Sequence, residues 1–199
     1  MDGTERLRAI FAAIDAENAE DPKRIEVGGA MRPYAQVYGE WMSARLEELA
    51  PDASEHLKIA ARAQHVRRFD LPRSTHPMDK PGYFAWRNAL KLHHAEVVGR
   101  LMTAVGYSPA DVDRVGQLVR KERIKRDPEA QTVEDCASLV FLEHEYAEFG
   151  AKHPDDKVVD IVAKTWIKMS EAGHAQALTL VPALPERLRT LTVKAVSGS

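Results

Sequence analysis

Residues 131–149 read QTVEDCASLVFLEHEYAEF. Within them Asp135, Leu139, Leu142, Tyr146 and Phe149 recur at steps of three and four, which is one face of an α-helix. Thr132 with Asp135 gives this helix an expected start, where exposed N–H groups and the macrodipole welcome an anion. The same spacing puts the Asp135 carboxylate on an otherwise apolar stripe. A charge there is costly unless it is paired or bound to a metal.

The helical period continues in both directions. Upstream, Trp86, Leu90, Val97 and Leu101 define the inner stripe of a helix running to Val105 and closed by Gly106, with Ser108 and Pro109 opening the next. Earlier still, Leu7, Ile10, Phe11 and Ile14 form one helix, and Tyr34, Val37, Tyr38, Trp41, Arg45 and Leu49 form a second that stops at Pro51. Asp52 caps a third, with Glu55 reaching back, and this helix is expected to carry LKIAARAQHVRRF to Pro72. Between them IEVGGAMRP reads as a loose loop, and Leu71–Tyr83, with Pro72, Pro77, Pro81 and Gly82, as a long ordered loop. Downstream, Asp155 or Asp156 opens KVVDIVAKTWIKMSEAG, with Gly173 as its C-cap. No strand pattern, repeat or low-complexity block interrupts this series. The expectation is an all-α bundle of about seven or eight helices, one domain over 1–199 with a loosely ordered tail over 186–199.

The totals agree with an ordinary globular chain. It has 199 residues, 44% hydrophobic and 29% charged, with a formal net charge of −2. No overall positive field draws it onto nucleic acid or an anionic membrane, so phosphate recognition must come from a local cluster. Its one cysteine, Cys136, cannot form an internal disulfide and excludes four-cysteine zinc sites. No stretch approaches ~18 uninterrupted apolar residues, and the N-terminus lacks the layout of a secretory signal, so the cytoplasm is the expected compartment.

Polar residues on inward faces point to a site. His65 lies four residues after Ala61, alongside Gln64 and Arg68 on the third helix. His93 and His94 flank the stripe of the Trp86 helix, so one of them must face inward, whereas Glu96 falls on the solvent side. With Asp135 these give two imidazoles and a carboxylate on three helices, the raw material of a divalent metal site (Mn, Fe, Zn or Mg) in a helical bundle. Glu134, one position round, is the candidate general base. Arg68, Arg73 and Arg87 converge on the Pro-rich loop and, with Lys121 and Gln64, suit a small anionic or phosphorylated ligand. Lys164 and Lys168, four apart on one helix, read first as a snorkelling pair, with a further anion contact as the alternative.

The strings AARAQHVRRFDLPR, PGYFAWR, LHHAE, QTVEDCASLVFLE and IVAKTWIKMSEAG resemble a family of about this length, found in bacteria and eukaryotes and known as a domain of unknown function. More distantly, the order of elements is similar to the all-helical HD superfamily of metal-dependent phosphohydrolases. AARAQHV resembles the approach to the His-Asp pair of that superfamily, with His65 at the histidine. HAEVVGRL resembles its second element, with His94 as the histidine, and Asp135 stands at the late aspartate. Val66 replaces the defining aspartate, and neither the region of Tyr34 nor Arg120–Glu122 supplies another histidine. The resemblance implies an HD-like hydrolase of a phosphorylated metabolite or nucleotide with a three-ligand mononuclear site. Alternatives are a non-catalytic anion- or partner-binding domain and an iron-dependent oxygenase using His65, His94 and Asp135 as a facial triad.

Overall fold

The structure is a computed structural model and describes residues 3–197. The chain is mostly α-helical, with ten α-helices among those residues and one small hairpin. Helix α1 spans Gly3–Ala19, and buries Ile10 and Ile14. IEVGGAMRP is not a loose loop. Strands β1 (Arg24–Val27) and β2 (Ala30–Pro33) pair antiparallel, with Val27 opposite Ala30. Gly28 and Gly29, at φ 59° and 81°, make the tight turn, a conformation that favours glycine. Asp21 fixes the hairpin to the helix after it. Its carboxylate accepts from Lys23 N at 2.8 Å and from Ala35 N at 2.8 Å, in the first turn of α2 (Tyr34–Leu49). Arg45, expected on the inner face of α2, is buried because its guanidinium pairs with Glu48 and Glu143.

Helix α3 covers only Glu55–Arg62, and its N-cap is Ser54 rather than Asp52. The helical pattern continues through His65, but the backbone leaves the helix in a run of turns, and Arg67 adopts φ 48°. Tertiary anchors hold that turn: Arg67 N donates to the buried Asn18 side chain at 3.0 Å, and its guanidinium pairs with Glu17, Glu20 and Asp70. These contacts outweigh helix propensity, which amounts to only a few tenths of a kcal/mol per residue.

Helix α4 (Lys80–Val105) begins earlier than the Trp86 stripe suggested. Asp79 caps it by accepting from Gly82 N at 2.7 Å. The Pro-rich segment ahead of it is tied down by Trp86 Nε1, which donates to Leu71 O at 2.8 Å, and by the Arg73 guanidinium, which donates to the carbonyls of His76, Pro77 and Asp79. Gly106 closes α4 at φ 92°, and Ser108 with Asp111 forms a capping box on α5 (Pro109–Val119).

Helix α6 spans Pro128–Val140, capped by Asp127 rather than Thr132, so Asp135 sits in mid-helix. A wide π turn, Phe141–Glu145, joins it to α7 (Tyr146–Lys152). The expected single helix over 157–172 is two: α8 (Asp155–Trp166) and α9 (Glu171–Leu180). Ser170 caps α9, so Gly173 lies in its first turn and is no C-cap. Residues 186–197, expected as a loose tail, form α10 (Glu186–Ser197), with Leu188, Leu191, Thr192 and Ala195 buried. Residues 198 and 199 of that expected tail lie outside the described ones.

Two clusters of buried residues result. One joins α1 to α6 around Met42, Ile59, Val98 and Leu118. The other joins the end of α6 to α8–α10 around Tyr146, Val158 and Leu188. No described helix is long and apolar enough to cross a membrane.

Candidate functional site

A cavity of about 370 Å³ opens where the two clusters meet. Its walls come from the N-terminal half of α2, the turns after α3, the inner face of α4, the end of α5, the α6–π–α7 run and α8. His65, His94, Gln64, Arg68, Arg87, Lys121 and Glu134, all singled out from sequence, line it. Asp135 and Arg73 do not.

His94 is 4% exposed. Its Nδ1 lies 2.7 Å from Val66 O, and a carbonyl only accepts, so Nδ1 is the protonated nitrogen. In the neutral ring Nε2 then keeps a bare lone pair. That atom is buried without a hydrogen-bond partner, as is His65 Nδ1. Burial pushes the His94 pKa down to about 3, the Val66 bond opposing it and the Arg68 charge adding to it. Burial, then Arg68 and His94, also hold His65 well below the ordinary histidine range. The His65 ring is fixed by stacking on Tyr38, with centroids 3.5 Å apart and planes 16° from parallel, and lies 6.3 Å from the His94 ring. His93, next to His94 in sequence, donates instead to Arg67 O and does not line the cavity.

Arg68 and Arg87 carry the strongest signal. Neither forms an ion pair among the described residues. The Arg68 guanidinium lies over the Trp86 ring, 4.7 Å from its centroid. Burial and then the Arg87 charge lower its pKa, and Glu145, which lines the same cavity, opposes that shift without forming an ion pair with it. Lys91, which sequence reasoning missed, adds a third and is half-buried. Its position was legible, because Arg87, Lys91 and His94 follow the i, i+4, i+7 rule on α4. Tyr34, Tyr38 and Glu145 were also missed as site residues. The Tyr34 hydroxyl donates to Glu145, and the ring carries Lys23 Nζ at 3.7 Å on one face.

Lys121 and Glu134 form a buried pair, Nζ to Oε2 at 2.7 Å. Burial works against the Glu134 charge, but Lys121, with Lys168 and Arg87, outweighs it and lowers the carboxyl pKa. A carboxylate so held is a weak proton acceptor, which counts against the general-base role expected for it. Lys121 adopts φ 55°, a left-handed conformation uncommon away from glycine and often seen at binding sites. Lys168 lies 3.8 Å from the other Glu134 oxygen, and Lys164 pairs with Asp160 on the surface.

Asp135 is satisfied elsewhere. Ser170 donates to it through both its backbone N (2.9 Å) and its hydroxyl (2.6 Å), and Gln131 Nε2 donates at 3.1 Å. The carboxylate therefore fixes the start of α9 and does not join the imidazoles. Among the described residues no group of three or more His, Cys, Asp or Glu side chains is placed to hold a metal ion. The expected donor set of His65, His94 and Asp135 does not fit a divalent metal, either for hydrolysis or as an iron triad. Arg73 is likewise occupied with loop carbonyls rather than a ligand. Burial raises the Cys136 thiol to about 12, which leaves it protonated and unreactive.

The chain belongs to the family described as Domain of unknown function (DUF4202), whose model matches residues 8–192. No curated protein and no solved structure matches it.

Proposed function

We propose that the cavity binds a small phosphorylated metabolite, with Arg68 and Arg87 as the principal phosphate contacts and Lys91 alongside them. The supporting observation is the pair of neighbouring, partly buried guanidinium groups, which form no ion pair among the described residues. Holding such charges together is unfavourable in the free protein, and a bound anion turns that cost into binding energy. Arginine suits the task because its planar fork donates two parallel hydrogen bonds to phosphate oxygens. The cavity is also within the usual range for small-molecule sites, from about 300 Å³ upwards.

Binding is favoured over hydrolysis by the state of the nearest candidate bases. A His94 pKa of about 3 in the free protein makes Nε2 a hydrogen-bond acceptor rather than an effective base near neutrality. Glu134 is tied to Lys121. Calorimetry with inorganic phosphate and pyrophosphate tests the proposal. Micromolar to low-millimolar binding that weakens with salt and disappears in an Arg68→Met/Arg87→Met double variant is the expected result. A wild-type protein indifferent to both anions would overturn it.

A further inference from the structure

We infer that the ligand carries hydroxyl donors as well as its anionic group, as a sugar phosphate does, and that His94 Nε2 is the acceptor for one of them. This rests on the anion-binding proposal and narrows its ligand class. The Nδ1–H donated to Val66 O fixes the His94 tautomer, so Nε2 keeps a lone pair, buried and without a partner, on a residue that lines the cavity. It cannot turn into a donor without taking up a proton, which burial and the neighbouring Arg68 charge oppose. Glu145, already accepting from Tyr34, is a second acceptor lining the same cavity.

The cavity therefore joins cations with acceptors. A wholly anionic ligand such as pyrophosphate meets Arg68 and Arg87 but leaves Nε2 unpartnered and sets negative charge against Glu145. An alkyl phosphate also leaves both acceptors unmet. A hydroxylated phosphate meets both kinds of group. A buried acceptor left without a partner costs free energy, and a ligand hydroxyl that reaches it removes that cost.

Two probes of equal charge separate these cases: ribose 5-phosphate and n-pentyl phosphate, titrated by calorimetry at one pH and ionic strength. Ribose 5-phosphate is expected to bind about tenfold more tightly, the order of effect of satisfying a buried acceptor. In His94→Asn the side-chain amide can still donate to Val66 O while Nε2 is gone, and the affinity ratio should fall towards one. Equal affinities in the wild type, or an unchanged ratio in His94→Asn, overturn the hydroxyl inference and leave anion binding standing. Failure of both probes to bind overturns both. A second readout needs no variant. In nitrogen NMR of the wild type, the His94 Nε2 resonance should move upfield with ribose 5-phosphate and stay in place with n-pentyl phosphate; the reverse pattern overturns the inference even if His94→Asn does not fold.

Discussion

Arg68 and Arg87 show how a single side chain can serve binding at the expense of the fold. Because neither pairs with a carboxylate among the described residues, Arg68→Met is expected to lower phosphate affinity about tenfold or more and to cost the fold no more than its contact with Trp86, about 1 kcal/mol. A drop in melting temperature larger than that would mean that the guanidinium is structurally paired after all. The histidines make an opposite, acid-side prediction. Their folded pKa values lie below the ordinary 6.5, that of His94 at about 3. Above pH 6.5 both folded and unfolded chains leave them neutral, and this part of the stability is fully present. As pH falls below 6.5 the unfolded chain takes up protons that the folded one refuses. Stability then drops by up to about 1.4 kcal/mol per pH unit for each group, until the folded pKa is reached. Glu134, whose pKa is depressed below 4.5, adds its own loss only at lower pH. Urea midpoints should therefore be lower at pH 5 than at pH 7, and His94→Asn should reduce the difference. At this scale the inward facing of His94 was legible from its place beside Leu90 and Val97. What His94 meets there was not, because Val66 O reaches it only through the turn after α3.

Among the elements, those with their own punctuation were legible. Gly106, Ser108 and Pro109 marked the junction of α4 and α5, and both caps form as the residue types demand. Boundaries set by distant partners were not. Nothing in Ala63, Gln64 and His65 announces a helix end, and α3 stops because Asn18 and three carboxylates hold Arg67 in place. The Gly28–Gly29 turn was a usable hairpin signal, but strands of four residues each were too short to display an alternation. Asp135 was read correctly as inward-facing, yet its role depends on Ser170, thirty-five positions away. Asp135→Ala should therefore destabilise the protein by about 3 kcal/mol, the cost of leaving buried donors without their charged acceptor. If denaturant unfolding shows less than ~1 kcal/mol, the carboxylate is not what fixes α9. At the start of α4, a Cβ on Gly82 would lie 2.1 Å from Pro77 O. Gly82→Ala must displace the Pro-rich segment, and a loss of about 2 kcal/mol or more is expected, together with weaker phosphate binding as Arg87 shifts.

At the scale of the whole molecule, the cavity matters because both buried clusters contribute to its walls. Val119 and Tyr38 belong to the first, while Phe149 packs on the second. A ligand seated there holds both in one arrangement, so saturating phosphate should raise the unfolding temperature as a single transition. Prolonged chelator treatment should change neither that temperature nor phosphate affinity. A loss restored by adding a divalent ion would contradict the absence of a fitting donor set. The π turn carries a further consequence. It amounts to one residue more than an α-helix needs between Glu134 and Phe149, and it brings Phe149 to the cavity while Glu148 stays outside with Lys152. Removing a single codon within 141–145 would take out that extra residue and heal the turn into regular helix, with the segments on either side keeping their phase. The frame of the message would be intact and α8 to α10 would keep their places, yet the cavity would lose the backbone positions that present Phe141 and Glu145 to it.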